Sequence, residues 1–154
     1  MKFMNKKEVI IQSAKEMQKV GKCLAEEILK EILKNEKAIV IGLEGDLGSG
    51  KTTFIQGLAR GLKIKERITS PTFVIMKKYK FSKGELYHID CYRIESRDLF
   101  ELDFKEIINK PKNIVVIEWA NRVKKSLPKD TFWMKFEYLD KDKRNIAYEE
   151  ISYN

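Results

Sequence analysis

The chain has little of what builds a disulfide-stapled or metal-stapled fold: 2 cysteines and 1 histidine in 154 residues. Cys23 and Cys91 stand far apart, so the reading is two free thiols in a reducing compartment. With one histidine beside two cysteines, a Cys/His zinc site is not expected. No apolar run approaches the ~20 residues of a membrane span. The start, Met1-Lys2-Phe3-Met4-Asn5-Lys6-Lys7-Glu8, lacks the long apolar core and small-residue cleavage site of a secretory signal. The expectation is a cytoplasmic protein without a membrane partner. Internal repeats, low-complexity tracts and inter-domain linkers are absent as well. Length then points to one domain over 1–154. Such a domain buries roughly two-thirds of its unfolded surface.

What is present is the balance of a soluble globular chain, 43% hydrophobic and 35% charged. The net charge is +8. That fits a nucleic-acid partner through counterion release, or solvated lysine-rich faces. The lysines are interleaved with glutamates along the whole chain, which favours solvated faces over direct RNA affinity.

One stretch organises the rest: Gly45-Asp46-Leu47-Gly48-Ser49-Gly50-Lys51-Thr52-Thr53. It fits G-x-x-x-x-G-K-[ST], the phosphate-binding loop. Glycines let the backbone reach φ values that a Cβ forbids, so N–H groups can turn inward around a phosphate. Lys51 would set an ammonium against the β- and γ-phosphates, and the Thr52 hydroxyl would ligate Mg²⁺. A helix starting at Gly50 or Lys51 would add its positive end to the same anion site. An ordinary glycine-rich turn needs no particular flanks. Here Ala38–Leu43 reads as a buried strand and Thr52–Arg60 as a helix, with Phe54 or Ile55 and Leu58 inward, which is the context the motif requires.

Around it, Glu8–Ile11 reads as a short strand, and Ser13-x-x-Glu16 as a capping box. Met17, Val20, Gly21, Leu24, Ile28 and Ile32 keep helical spacing toward Asn35. Beyond the phosphate-loop helix, Ile68-Thr69-Ser70-Pro71-Thr72-Phe73 offers hydroxyls and an extended X-Pro step, where switch segments of nucleotide hydrolases meet the γ-phosphate or its metal. Phe73–Phe81 and Glu85–Tyr92 read as a hairpin over Ser82-Lys83-Gly84. A period of two puts His88, Asp90 and Tyr92 on one face, with Arg93 at the exit. Arg97–Ile108 reads as one helix. Ile114-Val115-Val116-Ile117-Glu118 has the form of a Walker B strand, a buried run that lifts one acid beside the phosphate loop to serve Mg²⁺. Trp119 and the Asn121-Arg122 pair follow. Phe132–Leu139 and Ile146–Ile151 close the chain as an antiparallel hairpin.

With these stretches in place the chain resembles the TsaE (YjeE) family, small ATPases of tRNA threonylcarbamoyladenosine synthesis. The phosphate loop is widespread. The set Ser70-Pro71-Thr72-Phe73, His88-Ile89-Asp90-Cys91-Tyr92-Arg93 and Glu118-Trp119 is much narrower. Together with the loop these stretches stand in the family's order, and the resemblance covers nearly the whole chain. The resemblance implies an α/β P-loop NTPase fold in a single domain, with a mixed, mostly parallel sheet flanked by helices. It implies ATP and Mg²⁺ as cofactors and weak intrinsic hydrolysis. It implies work with the TsaB–TsaD transferase pair, reactivated between turnovers, with tRNA engaged indirectly.

The site expected from all this has Gly45 through Thr53 on the nucleotide and Thr52 with Glu118 on the metal. Lys51, Thr72, Asp90 and Glu118 carry the chemistry, with Asp90 orienting water or the switch segment near the γ-phosphate. The residues alone leave two other classes open: a small-molecule or nucleoside kinase, and a nucleotide-gated RNA-binding module.

Overall fold

A run of β-branched residues that can bury both faces forms a central parallel strand. Two such runs meet here, β2 (Ile39–Glu44) and β5 (Asn113–Glu118). A computed structural model describes residues 2–71 and 74–153. In it β2 and β5 pair in parallel, with Leu43 opposite Glu118. The sheet also contains β1 (Lys2–Ile11), β3 (Met76–Phe81), β4 (Gly84–Asp90), β6 (Phe132–Tyr138) and β7 (Arg144–Tyr153). The order is β1-β7-β6-β2-β5-β4-β3. The four inner strands β6, β2, β5 and β4 run parallel. The flanking pairs β1/β7, β6/β7 and β3/β4 are antiparallel. This is the mixed sheet expected, parallel in the middle and antiparallel toward both edges.

Strand alternation divides the core in two. Ile41, Leu43, Ile114 and Val116 pack with α1 (Ala14–Glu31) and α2 (Lys51–Gly61). Val40, Val115 and Ile117 pack on the other face with α3 (Ser96–Glu101), α4 (Phe104–Asn109) and the 3₁₀ segment Ala120–Ser126. Met17, Ala25 and Ile28 of α1 meet Phe54, Ile55 and Leu58 of α2 in the first layer. Glycines let these two helices approach closely. A Cβ on Gly57 would fall 2.6 Å from Gln18 C and Cα, and one on Gly21 would fall 2.6 Å from Leu58 N.

Local differences from the expected elements have local causes. The first strand runs over the whole of Lys2–Ile11 because β7 pairs with all of it. The helix expected over 97–108 is two helices, because Asp103 between them takes φ 57. Aspartate is one of the few residues with a side chain that visit the left-handed region readily. The strand expected from Phe73 starts at Met76; Thr72 and Phe73 lie outside the described residues. Val74 and Ile75 instead fold under Pro71, both N–H groups donating to its carbonyl at 3.2 and 2.6 Å.

Candidate functional site

The loop between β2 and α2 crosses the carboxyl end of the parallel strands, where open α/β sheets bind ligands. Gly50 caps α2 at φ 102, a conformation that strains any residue with a Cβ. Gly45 has no room for one: a Cβ there would lie 2.5 Å from Phe136 O and 2.8 Å from Ser49 Oγ. The Ser49 hydroxyl is buried in the loop and has no hydrogen-bond partner among the described residues. The N–H groups of the first turn of α2 have no intrahelical acceptor and face the same space.

Lys51 opens α2 and is buried. Its ammonium donates to Gly45 O and, at 3.4 Å, to Asp46 O. It also lies 4.1 Å from the Trp119 ring centroid. Burial lowers its pKa, and the carboxylates of Glu118, Asp90 and Asp46 push the other way.

Thr52, one residue on, turns its hydroxyl to the end of β5. Thr52 Oγ1 donates to Glu118 Oε1 at 3.3 Å. The other carboxylate oxygen, Oε2, is 2.7 Å from Nε2 of His88 on β4. Asp90 lies opposite Glu118 in the β4/β5 register. It accepts from the Ser70 hydroxyl at 3.3 Å and from the Tyr92 N–H at 2.9 Å. Glu118 and Asp90 thus stand side by side at one sheet end, both buried. Trp119 follows at φ 59, and its ring is 4.9 Å from that of Tyr92.

Most of these groups line a cleft of about 950 Å³. Asp46 through Thr53 line it together with Ser70, Asp90, Tyr92, Arg93, Glu118 and Trp119. The structure therefore brings Lys51, Thr52, Asp90 and Glu118 together. Thr72 lies outside the described residues. Of the two arginines expected near the site, Arg93 is among the cleft's described lining residues and Arg122 is not.

Sequence reasoning did not find the rest of the lining. Gln12, Ser13 and Met17 reach the cleft from the start of α1, and Lys141, Asp142 and Arg144 from the β6–β7 turn. Arg144 Nε donates to Gly48 O at 2.8 Å, and its guanidinium stands 4.4 Å from the Tyr138 ring. No motif marks Arg144; its role depends on where β7 ends up in the sheet. The His88–Glu118 contact was also unread. The signal available for it was the pairing of two adjacent parallel strands.

Residues 11–146 match the family model described as "Threonylcarbamoyl adenosine biosynthesis protein TsaE". The chain belongs to the TsaE family. A tRNA threonylcarbamoyladenosine biosynthesis protein TsaE from Aquifex aeolicus (strain VF5) is 40% identical over 142 residues, covering 91% of this chain and 93% of its own length. The Bacillus subtilis (strain 168) TsaE is 37% identical over 112 residues, 73% of this chain and 70% of its own. The crystal structure of Bacillus subtilis YdiB overlays with a TM-score of 0.73 at 27% identity, covering 97% of this chain and 88% of that one. The TsaE match spans the phosphate loop, the β4 end and Glu118, and every described lining residue of the cleft, from Gln12 to Arg144, falls within it.

Proposed function

We propose that this chain binds and hydrolyses Mg-ATP as the accessory ATPase of tRNA threonylcarbamoyladenosine synthesis, reactivating the TsaB–TsaD transferase pair between turnovers. Family membership supports the pathway. The observation that carries the ATPase reading is the Thr52 hydroxyl facing the Glu118 carboxylate at 3.3 Å, beside Lys51 and the open end of α2.

The donors fit the group. Thr52 and Glu118 offer only hard oxygens, and Mg²⁺ takes one or two protein oxygens together with phosphate and water. The orphaned Ser49 hydroxyl and the first N–H groups of α2 suit phosphate oxygens. Bound Mg²⁺ would neutralise charge on the β- and γ-phosphate oxygens. Lys51 would trade the Gly45 and Asp46 carbonyls for phosphate oxygens. Asp90, held by Ser70 and the Tyr92 N–H, would orient water or the 70–72 segment near the γ-phosphate.

No sequence motif marks a glutamine, Gln12 of the cleft lining included, as one that positions water, and neither Arg93 nor Arg122 sits in a motif that makes it a finger. Phosphoryl transfer without such a group is slower by ~10³–10⁵-fold, or ~4–7 kcal/mol of barrier. The transferase pair would supply that group, or would order Ser70 and Arg93 around the phosphate. Contact with tRNA would be indirect, through the pair, and the setting cytoplasmic. Among the described residues no helix is long and apolar enough to cross a membrane.

The test is steady-state phosphate release at saturating Mg-ATP, first alone and then with the purified pair titrated in. Slow release that the pair accelerates is expected. Fast release alone, unmoved by the pair, refutes the accessory role and favours a self-sufficient kinase or hydrolase.

A further inference from the structure

His88 is the one histidine of the chain and is fully buried. It is a poor choice for stability alone. Its Nδ1 has no hydrogen-bond partner among the described residues, and a buried polar atom left unpaired costs free energy that an apolar side chain of similar volume would not. Its Nε2 makes one contact, 2.7 Å to Glu118 Oε2. That is a donor contact in both forms of the ring that carry a proton on Nε2.

The β4/β5 register explains how the contact arises. Asp90 lies opposite Glu118 and His88 opposite Val116, all on the α1/α2 face of the sheet. His88 therefore reaches Glu118 diagonally, from one pair back along the strand. A glutamate at the end of a strand has one more rotatable bond than an aspartate, so its carboxylate needs something to fix it. Thr52 meets Oε1, and His88 meets Oε2. Hydrogen bonds behind a metal ligand commonly set its orientation in this way.

We propose that His88 is the positioning residue of the metal-binding carboxylate: its Nε2–H holds Glu118 Oε2 and so turns Oε1 toward Thr52 and the cation. This rests on the reading of Thr52 and Glu118 as the Mg²⁺ ligands. It adds the group that makes a glutamate effective at this strand end.

The experiment measures Mn²⁺, as a spin probe for Mg²⁺, binding to the ADP complex by electron paramagnetic resonance, with ADP affinity in EDTA measured alongside. His88→Leu is expected to weaken Mn²⁺ binding by about 10–100-fold and to leave ADP affinity in EDTA unchanged. His88→Gln, whose amide N–H can reach Oε2, is expected to recover most of the loss. In a Glu118→Gln background the His88→Leu change is expected to add nothing, because the two act as one unit. Should His88→Leu fail to fold, His88→Asn, whose shorter amide cannot reach Oε2, carries the same comparison with His88→Gln. Unchanged Mn²⁺ affinity in the donor-less variant overturns the proposal. So do equal losses in the leucine and glutamine variants, which would mean a purely structural ring. If wild-type protein binds ADP but gains nothing from Mn²⁺, the ligand reading itself fails and this inference with it. If it binds Mn-ADP and His88→Leu binds it equally well, only the inference fails.

Discussion

Gly57→Ala sets two effects of opposite sign against each other at the interface that carries the phosphate loop. Gly57 is inside α2, where alanine is favoured over glycine by about 1 kcal/mol of helix propensity. Propensity alone therefore predicts a more stable protein. Packing predicts the reverse. The new Cβ would stand 2.6 Å from both C and Cα of Gln18, and closer still to its carbonyl oxygen. Carbon atoms sit best at about 3.5–4.0 Å, so α1 and α2 must part by about 1 Å. The obstructing atoms are backbone, so no rotamer change relieves the clash. Overpacking of this kind costs about 1–3 kcal/mol, and a backbone clash belongs at the top of that range.

Subtracting the propensity gain leaves a net loss of about 2 kcal/mol. For a chain of this size that lowers Tm by about 4–8 °C. The damage should also reach the site, because Lys51 and Thr52 occupy the first turn of the displaced helix. A misplacement of about 1 Å can cost a reaction up to about 10²-fold. Thermal or urea unfolding, followed by phosphate release from Mg-ATP by the folded variant, measures both effects. A Tm equal to or above wild type would refute the packing argument and show that α2 can slide without cost.

Lys51→Ala should weaken ATP binding by roughly 10–150-fold, the worth of one charge-assisted hydrogen bond to phosphate; Trp119, 4.1 Å from Lys51, supplies the fluorescence signal. Glu118→Gln should shift the Mg²⁺ dependence of nucleotide binding more than Asp90→Asn does, and equal, unchanged Mg²⁺ titrations would remove that division of roles. Arg144→Ala should cost about 1 kcal/mol of nucleotide affinity, by freeing Gly48 O, and leave the Mg²⁺ titration in place. A thiol reagent near neutral pH should modify exposed Cys23 alone until the protein unfolds, because burial pushes the Cys91 thiol up to about 12; fast reaction of both cysteines in the native state would contradict the buried placement.

The parts of the site legible in the sequence are those whose members are neighbours along the chain. Strand, loop and helix over 39–61 form one such unit, and each piece constrains the next. The capping box was legible for the same reason, with one difference. Ser13 Oγ accepts from Glu16 N at 3.0 Å as expected, but Glu16 Oε2 reaches past Ser13 to the Gln12 N–H at 2.7 Å. Alternation along β4 placed His88 and Asp90 on one buried face; Tyr92 lies past the strand end and is exposed, yet lines the same cleft as Asp90. The strand ends at Asp90, whose Oδ1 takes the Tyr92 N–H and turns the chain. A period of two holds only while a neighbouring strand enforces it. Cys91 N is still held by Glu118 O at 2.9 Å; Tyr92 lies past that last bond. The break at Asp103 was hidden for a different reason: Leu99, Phe104 and Ile107 stay buried on either side of it, so hydrophobic spacing carries no trace of one left-handed residue.

What the sequence concealed was which distant groups hold the loop in shape. Two cations grip its carbonyls from opposite ends. Lys51 takes Gly45 O and Asp46 O, and Arg144, from the far hairpin, takes Gly48 O at 2.8 Å. The two are not equivalent. Lys51 is buried, and the Glu118, Asp90 and Asp46 carboxylates draw on the same ammonium, so it can move to a phosphate without leaving a low-dielectric, anionic setting. Arg144 is tied down further by the Asp140 and Lys143 carbonyls at 2.7 and 3.0 Å and by the face of Tyr138. Its planar fork suits several fixed acceptors at once, which favours a standing brace over a mobile charge. Exchange at one end of the loop with a fixed anchor at the other would let a bound phosphate replace the Lys51 contacts while the glycine backbone keeps its form. The anchor lies on β7, next to β6 and two strands from β2, so the loop's shape depends on this last strand taking its place between β1 and β6.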